Sequence, residues 1–397
     1  MILRTFAIPQ QHRVVFTHGV FDASNHALRD LIAEGAGLDG SGRVLVCIDQ
    51  GLLEMAPGLP GQIIEYGKAH SSVMDLVGPP LCMPGGESCK NDWSRVEKLW
   101  EAFHFHALCR HSYVVVIGGG AFLDLVGFAA ATAHRGIRLI RMPTTTLSQG
   151  DGGVGVKNGV NYFGKKNWVG TFAVPFAVVN DLEFLRLLPE RTCRDGIVEA
   201  IKVALIRDRD FFHYIERHTS ELARLETEAL ERVIRRSAEL HVDHISLGGD
   251  PFEQGSARPL DFGHWAAHKL EQISGFTVSH GEAVSIGMAL DLCYSARIGM
   301  MDAAIKDRIL GVLKAVGLPL WSDFLDAAVP GGSKPMVLQG LEEFREHLGG
   351  RLTITLVPRI GTKREVHEMD EKEILLALEE LRSRKSLAKG ASAKSKG

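Results

Sequence analysis

The chain has 397 residues, 45% of them hydrophobic and 23% charged, with a formal net charge of −3 at pH 7. Its length allows about two to three domains with real cores, and its composition excludes disordered, collagen-like and coiled-coil proteins. The balanced charge provides no basic field for nucleic acid or an anionic membrane, so a small-molecule partner is favoured. Without a long apolar run, a signal-peptide layout or a Cys-x-x-Cys pair, the sequence predicts a cytoplasmic protein.

The two halves of the chain differ in their hydrophobic pattern. Short β-branched runs at 14–16, 44–48, 113–117 and 139–140 alternate with helical stretches, as in a parallel sheet with crossover helices. After Pro189, apolar residues recur at helical spacing through about residue 246, then over 262–299 and 302–316, with one short β pair near 352–361. We therefore predict an α/β nucleotide-binding domain (1–184), a mainly α-helical metal-binding domain (185–384) and a disordered tail (385–397).

A glycine-rich turn follows the run 113–117. Gly118, Gly119 and Gly120 precede Asp124 and a helix of small residues, so backbone N–H groups at a helix N-terminus could approach a pyrophosphate. The spacing is not Gly-x-Gly-x-x-Gly, and a plain tight turn is the alternative.

Two other strand ends carry polar side chains. Asp49 could bind a ribose hydroxyl, and Thr144 and Thr145 offer hydroxyl groups, although a turn acid and ordinary strand-end threonines are the alternatives. Together the three strand ends favour a nucleotide crevice.

Three helical segments carry candidate metal ligands. His264 and His268 lie four residues apart on one helix face, His280 begins a second helix, and Glu199 lies in a third. One glutamate and two histidines suit Zn²⁺ with positions left for substrate oxygens. A lone histidine is more often a packed or surface residue, so the conjunction carries the prediction. Lys202 could face the same cleft, or form a plain ion pair with Glu199.

The segment 151–167 combines glycines with Asp151, Lys157, Lys166 and Asn167. This composition is typical of a loop whose donors converge on an anion, such as a phosphorylated substrate, rather than of a packed element. A flexible lid with solvated lysines is the alternative. Arg135 adds a cation and could equally be a subunit-contact residue.

These motifs resemble the sugar phosphate cyclase family, whose best-known member is 3-dehydroquinate synthase, across roughly residues 40–300. The matching segments, in chain order, are Gly86-Glu87-Ser88-Cys89-Lys90, Gly118-Gly119-Gly120 with Asp124, Arg135-Gly136-Ile137, Pro143-Thr144-Thr145-Thr146, Asp151 to Lys157, Lys166-Asn167, Glu199-Ala200-Ile201-Lys202, Phe262-Gly263-His264 with His268, and His280-Gly281-Glu282.

The resemblance implies an NAD⁺-binding α/β domain, a helical metal domain, an active site between them and a homodimer. The implied metal ligands are Glu199, His264 and His280, typically holding Zn²⁺, with Co²⁺ as an alternative. The implied NAD⁺ site comprises Asp49, Glu87, Lys90, Gly119, Gly120, Asp124, Thr144 and Thr145. The implied substrate residues are Asp151, Lys157, Lys166, Asn167, Lys202 and His268, while Arg135 would reach the phosphate of the neighbouring subunit's substrate.

The resemblance also implies a reaction. A ketose phosphate would be oxidised transiently by NAD⁺, lose phosphate, be reduced again and close into a carbocycle by an intramolecular aldol step.

The sequence departs from 3-dehydroquinate synthase where that family binds the substrate carboxylate. Asp243 and Ala257 stand in place of a lysine and an arginine, and Asp261 in place of an asparagine, although Arg258 could substitute if the register slips by one. Lost charge-assisted hydrogen bonds would cost roughly 1.5–3 kcal/mol each. Arg345 stands nearest to a missing C-terminal lysine pair, and His268 separates the chain from valiolone-type cyclases, which we expect to carry proline there.

We therefore predict an NAD- and metal-dependent carbon–oxygen lyase. It would close a sugar phosphate that has no carboxylate, such as a heptulose 7-phosphate, to a cyclitol. True 3-dehydroquinate synthase is the main alternative. The others are a metal-dependent polyol dehydrogenase and a non-catalytic homologue.

Overall fold

The computed structural model describes residues 1–36, 41–249, 251–252, 260–329, 331–347 and 350–394. The chain divides into two compact units, Met1–Pro189 with His241–Phe252, and Glu190–Leu240 with Glu253–Gly397. Across the described residues, none of the helices has the length and apolar character that a membrane span requires.

The first unit is a parallel sheet covered by helices on both faces. Seven strands form the sheet in the order β1-β9-β6-β5-β2-β3, with β4 also pairing with β2. The strands of this unit are β1 (Val14–Thr17), β2 (Gly42–Asp49), β3 (Met74–Leu76), β4 (Leu81–Met83), β5 (Tyr113–Gly118), β6 (Arg138–Pro143), β7 (Lys157–Tyr162), β8 (Lys165–Phe172) and β9 (Ala177–Asp181). Its helices are α1 (Ala27–Ala36), α2 (Gln50–Met55), α3 (Leu59–Ala69), α4 (Ser94–Phe105), α5 (Gly120–Thr132) and α6 (Thr146–Gly150).

Successive residues of β2 point to opposite faces of the sheet, and helices cover both faces. Val44, Val46 and Ile48 belong to the core that α1 and α3 complete, whereas Leu45 and Cys47 belong to the core formed with α4 and α5. A strand buried on both faces is a short, continuous apolar run, as the sequence predicted. The α/β class of this unit is confirmed.

The strand order reverses between β2 and β5. From β2 the chain proceeds to β3 on one side, and from β5 it proceeds to β6 on the other. In open α/β sheets, ligands bind beyond the carboxyl ends of the strands at such a switch point. Asp49 and Gly118 end these two strands, so the polar turns predicted from the sequence lie at this point.

The segment 157–172 corrects the sequence analysis. The sequence predicts a loop over 151–167, but from residue 157 onward the chain forms an antiparallel hairpin of β7 and β8. Phe163 and Gly164 connect the strands, with φ of 51° and 70°. Two consecutive positive-φ residues suit the tight turn of a hairpin, and the high glycine content hid the strand pattern.

The second unit is mainly helical. Its helices are α7 (Glu190–Arg207), α8 (Arg209–Arg217), α9 (Thr219–Ala223), α10 (Thr227–Leu247, whose residues from His241 onward group with the first unit), α11 (His264–Ile273), α12 (His280–Arg297), α13 (Ala303–Ala315), α14 (Gln339–His347) and α15 (Glu371–Lys394). A hairpin of β10 (Ile354–Arg359) and β11 (Thr362–Val366) accompanies them, close to the predicted β pair. The helical class of this unit is confirmed.

Helix α12 is the central element of this unit. Its residues from Ala283 to Ser295 are all buried, because α7, α11, α13 and α15 pack around it. A helix that is apolar on all sides belongs in a core.

Helix α15 continues through residues 385–394, which differs from the disordered tail predicted from the sequence. Alanine and lysine, which dominate this segment, are strong helix formers. Residues 395–397 of the predicted tail lie outside the described residues.

Candidate metal and cofactor sites

Three helices of the second unit bring Glu199, His264 and His280 together. One ligand atom from each lies within 4.8 Å of the others. The Nε2 atoms of His280 and His264 lie 3.5 Å and 3.8 Å from Glu199 Oε1. Tetrahedral zinc with ligand bonds of about 2.1 Å separates its donors by about 3.4 Å. The spacing therefore fits a bound cation better than direct hydrogen bonds between the side chains.

Local structure explains how the helices approach so closely. His264 is the first residue of α11, directly after Gly263, which has a φ of 78°. A Cβ on Gly263 would lie 2.6 Å from the backbone nitrogen of Met288, and one on Gly287 would lie 2.1 Å from the carbonyl oxygen of Gly263. The two glycines thus let α11 begin directly against α12.

The start of α12 is held against α7. Ser279 caps α12, and its hydroxyl donates to Asp195 Oδ1 over 2.8 Å. A Cβ on Gly281 would lie 2.3 Å from the same carboxylate oxygen, so glycine is required for this contact. Burial raises the pKa of Asp195. These contacts place His280 beside the helix that carries Glu199.

The second ring nitrogen of each histidine has its own acceptor. His264 Nδ1 lies 3.1 Å from the carbonyl oxygen of Phe262, and His280 Nδ1 lies 3.4 Å from Glu271 Oε2. A proton on Nδ1 leaves Nε2 with the lone pair that a metal needs, which is the usual arrangement around metal-binding histidines. The donor set and its orientation therefore fit Zn²⁺.

Electrostatics around the triad differ between the two histidines. Burial, reinforced by the charge of Lys202, lowers the pKa of His264 well below its ordinary value. Burial alone would also lower the pKa of His280, but the carboxylates of Glu199 and Glu271 raise it to about 10. A cation bound at this centre would take the place of that proton.

The other two residues predicted in this unit border the triad. Lys202 is 5% exposed and pairs with the Glu199 carboxylate, its neighbour one helical turn away. The exposed His268 lies on the same face of α11 as His264, with 5.3 Å between ring centroids, and its ring stacks 6.3 Å from that of His280. His268 is thus the solvent-facing imidazole of the cluster.

Sequence reasoning missed Glu271 and Asp291. Glu271 lies seven residues after His264, so helical spacing alone could have placed it on the same face. Asp291 accepts hydrogen bonds from the backbone nitrogen of Gly263 and from Trp265 Nε1. Its signal was the one acid within the buried stretch 283–295 of α12.

The glycine turn of the first unit forms an open cradle. Gly119 caps α5 and Gly120 begins it. A Cβ on Gly120 would meet nothing within 4 Å, and one on Gly119 would meet only Thr145 Cγ2 at 3.6 Å. The positive end of the helix dipole therefore faces free space that suits an anion. Gly118 is instead required for packing, because a Cβ at this position would lie 2.8 Å from the Phe122 ring.

Asp49 is bound to backbone amides around this turn. It caps α2 by accepting from Gly51 over 2.9 Å, and it also takes hydrogen bonds from the amides of Gly85 and Gly119. Burial raises the pKa of Asp49, and these amides partly offset the increase. Its predicted contact with a ribose stays a prediction.

Several predicted nucleotide-site residues bind one another. Lys90 is 3% exposed, and its ammonium contacts Asp124 Oδ2 at 2.9 Å and also the Asn167 side-chain oxygen. The exposed Glu87 accepts from Asn161 Nδ2 at 3.2 Å. This network connects the Gly86–Lys90 motif to α5 and to the β7–β8 hairpin, all within the first unit.

Both predicted threonines have local structural contacts. Thr144 is buried, and its backbone nitrogen donates to the carbonyl oxygen of Gly118 over 3.0 Å. The hydroxyl of Thr145 caps α6 by accepting from the backbone nitrogen of Ser148 over 3.1 Å. Their predicted contacts with a nucleotide stay predictions.

The predicted anion-binding residues mostly lie on the surface. Lys157, Lys166 and Arg135 are exposed, and Arg135 adopts a φ of 62°. Asp151 contacts His241, with 2.6 Å between Oδ1 and Nδ1. No sequence pattern indicated that contact.

The positions that depart from the family pattern have different environments. Asp243 is exposed on α10, and the backbone carbonyl of the half-buried Asp261 accepts from His264 N over 3.1 Å. Arg345 is exposed and pairs with Glu342 at 3.1 Å. Ala257 and Arg258 lie outside the described residues.

Models of a known protein family match most of the chain. Models of the N-terminal and C-terminal parts of 3-dehydroquinate synthase match residues 80–195 and 196–331. A 3-dehydroquinate synthase of Nitrosospira multiformis is 37% identical over 299 residues, covering 75% of this chain and 79% of that protein. One of Desulforamulus reducens is 34% identical over 338 residues, covering 85% and 89%.

Solved structures give the same fold. ValA, a 2-epi-5-epi-valiolone synthase of Streptomyces hygroscopicus subsp. jinggangensis 5008 solved with NAD⁺ and Zn²⁺ bound, superposes with a TM-score of 0.82 at 28% identity, covering 96% of this chain and 100% of that one. A 2-deoxy-scyllo-inosose synthase complexed with carbaglucose-6-phosphate, NAD⁺ and Co²⁺ superposes with a TM-score of 0.72 at 23% identity, covering 93% and 96%. The latter likeness concerns the fold alone.

Proposed function

Because the chain belongs to the 3-dehydroquinate synthase family of sugar phosphate cyclases, we propose that it converts a heptulose 7-phosphate into a carbocyclic cyclitol with release of phosphate. The observation that carries the proposal is the convergence of Glu199, His264 and His280 in one triad, of which Glu199 and His264 are buried. The similarity to ValA, solved with NAD⁺ and Zn²⁺, supports the same two cofactors here.

The reaction requires no net oxidant. A substrate carbon that bears a hydroxyl group would lose a hydride to NAD⁺ while its oxygen loses a proton, and the resulting ketone would later be reduced again by the same hydride. Between these steps a neighbouring carbon would lose a proton as the carbon–oxygen bond to phosphate breaks, and afterwards one carbon–carbon bond would close the ring. NAD⁺ supplies a hydride acceptor that is regenerated in each turnover. Zn²⁺ supplies Lewis acidity, which favours loss of a proton from a substrate hydroxyl.

Residues of the chain bind and orient the substrate in this proposal. The exposed His268 imidazole holds or moves a proton beside the triad, and Lys202 places a positive charge next to Glu199. Lys157, Lys166 and Arg135 provide exposed positive charge for the phosphate, while Asp151 and Asn167 orient hydroxyl groups. Gly119, Gly120 and the Lys90–Asp124 pair would bind NAD⁺.

The choice of substrate rests on Asp243. A carboxylate at this position would repel a carboxylate-bearing substrate, and the ammonium found there in 3-dehydroquinate synthase would be missing. A neutral-headed ketose phosphate avoids this cost. The curated relatives named 3-dehydroquinate synthase favour the carboxylate substrate instead, so that activity is the second candidate.

Phosphate release from two substrates separates the candidates. Purified protein loaded with Zn²⁺ and NAD⁺ would be incubated with sedoheptulose 7-phosphate or with the corresponding heptulosonate 7-phosphate. We expect phosphate only from the first, without accumulation of NADH. Release only from the acid would establish the second candidate, whereas steady NADH formation would indicate a polyol dehydrogenase.

The control is a variant of the metal triad. Glu199→Gln keeps the shape of the side chain but removes its charge, so it should abolish both metal binding and phosphate release. Glu216→Gln alters a carboxylate on α8 that pairs with Arg308 instead, and it should retain the metal. Phosphate release by metal-free Glu199→Gln would refute the proposed role of the triad.

We also propose that the protein is a cytoplasmic homodimer in which Arg135 serves the neighbouring subunit. Its exposure supports this role. Light scattering of the purified protein should give twice the mass of the chain, and a monomeric mass would contradict the proposal.

A further inference from the structure

We infer that Asp291 is a positioning residue for the metal ligand His264. Its carboxylate is completely buried on α12. Oδ2 accepts from the backbone nitrogen of Gly263 over 3.1 Å, and Oδ1 accepts from Trp265 Nε1 over 2.8 Å. The two donors belong to the residues immediately before and after His264.

These hydrogen bonds fix the turn from which His264 projects. Gly263 has a left-handed conformation, and its Cα packs against the backbone of α12 near Met288. Trp265 is 1% exposed, so its indole cannot turn outward without opening the core. With both flanking residues bound to one carboxylate, the backbone of His264 has little freedom to rotate, and its Nε2 stays directed toward Glu199.

The environment of Asp291 argues against a simple packing role. Burial raises the pKa of Asp291 to about 7, although its two hydrogen bonds oppose the increase. Burying an acid without a cation is costly, and an apolar side chain of similar shape would avoid that cost. What the carboxylate contributes is a pair of directed acceptors on either side of a metal ligand, and no apolar residue can provide them.

The other imidazole has a matching partner. Glu271 accepts from His280 Nδ1 and orients that ring directly, whereas Asp291 acts through the backbone and the neighbouring indole. Partners of metal ligands commonly change metal affinity by 10- to 100-fold when they are removed. The inference rests on the metal centre of the proposed function but on no particular substrate.

Metal affinity of the full-length protein provides the test. Asp291→Asn keeps the shape, but its amide group faces one of the two donors and leaves that donor unsatisfied. Competition with a chromophoric chelator should show Zn²⁺ binding weakened by about 10-fold or more, and the visible spectrum of the Co²⁺-loaded variant should change. Ser285→Ala is the matched control, because it removes one buried hydrogen bond from the same helix, to the carbonyl oxygen of Pro319. It should leave affinity and spectrum unchanged.

A second variant allows the inference to be tested if Asp291→Asn does not fold. Trp265→Phe retains a large ring but removes the Nε1 donor, so it should also weaken Zn²⁺ binding. Since both changes act through one contact, the double variant should lose less affinity than the product of the single losses.

Wild-type Zn²⁺ affinity in folded Asp291→Asn or in Trp265→Phe would overturn the inference. The inference would also be overturned if the double variant lost as much Zn²⁺ affinity as the product of the two single losses. A failure of the proposed function differs, since the wild-type protein would then bind Zn²⁺ normally but release no phosphate from either sugar.

Discussion

At the scale of single residues, function depends on which atom each side chain presents. The imidazoles of His264 and His280 direct Nε2 toward Glu199 because their Nδ1 atoms are engaged by Phe262 and Glu271. A histidine at the same position with its ring reversed would present a protonated nitrogen to the metal. The acceptors are therefore as much part of the centre as its ligands.

Asp243 gives a prediction about substrate selectivity. Asp243→Lys should raise kcat/KM for the heptulosonate substrate by roughly 10-fold or more, because a charge-assisted hydrogen bond is worth about 1.5–3 kcal/mol. Asp243→Ala is the control, since it removes repulsion without adding attraction and should have a smaller effect. Initial rates of phosphate release measure both. If Asp243→Lys and Asp243→Ala gave equal rates, no substrate carboxylate would approach this position.

At the scale of elements, helix ends determine where ligands and hydrogen bonds are placed. Helices α11 and α12 begin at His264 and His280, and α5 begins at the glycine cradle. The first turn of a helix leaves N–H groups unpaired, so each start needs a cap or a ligand. Ser279 caps α12, whereas the start of α5 is open above Gly120.

The Gly120→Ala variant should weaken nucleotide binding without destabilising the fold. A Cβ here meets no protein atom, and alanine favours a helix, so the free energy of unfolding should stay equal or rise slightly. The methyl group would occupy the space proposed for the pyrophosphate and should weaken NAD⁺ binding at least about 10-fold, roughly the effect of 1.4 kcal/mol.

Calorimetric titration with NAD⁺ measures this effect. The matched control is Gly61→Ala, a position on α3 where a Cβ is also unobstructed. Unchanged NAD⁺ affinity in Gly120→Ala would place the nucleotide elsewhere.

The environment of Asp208 predicts that this residue stabilises the fold in a pH-dependent way. It caps α8 by accepting from Phe211 N over 2.9 Å, and Arg236 donates to it over 2.7 Å. Burial alone would raise the pKa of Asp208, but these donors lower it below its ordinary value. The stabilisation is therefore complete above the unfolded pKa of about 3.9 and is lost as the pH falls through the lower folded pKa.

Asp208→Ala should lower the free energy of unfolding by about 1–2 kcal/mol near pH 7. The difference from wild type should shrink once the pH falls below about 3.9. Urea unfolding at several pH values measures it, with the exposed Asp210→Ala as the control. A loss that stays constant down to the lowest pH would show that charge has no part in it.

At the scale of the whole molecule, the metal triad and the glycine cradle belong to different units. The donors of the metal centre all lie in the helical unit, while the glycine cradle lies in the α/β unit. A ligand that binds only the folded state stabilises the part of the chain that supplies its contacts.

Metal removal should therefore act on the helical unit. Dialysis against a chelator should lower the Tm, by an amount equivalent to about 2.7 kcal/mol when the free metal had been at 100 times its Kd. Hydrogen exchange should accelerate in α7, α11 and the start of α12, with little change in β5 and α5. Readdition of Zn²⁺ should reverse the effect, except in Glu199→Gln. Equal acceleration throughout both units would contradict this assignment.

The local features of the protein can be predicted from its sequence alone. Apolar runs of strand length identified β2, β5 and β6, and helical spacing placed His264 and His268 on one face. These features are local because the period of side-chain directions is set within a few residues. The glycine triplet likewise identified the start of α5.

Contacts between distant residues follow from the packing of the folded chain. The adjacency of β2 and β5, the β7–β8 hairpin, and the contacts of Glu271 and Asp291 join residues between 3 and 69 positions apart, and no periodicity encodes these pairings. Such pairings follow from burying several apolar faces at once, so they depend on the packing of whole elements rather than on neighbouring residues. For this reason the candidate metal ligands could be predicted from sequence, whereas the contacts that orient them depend on how the helices pack.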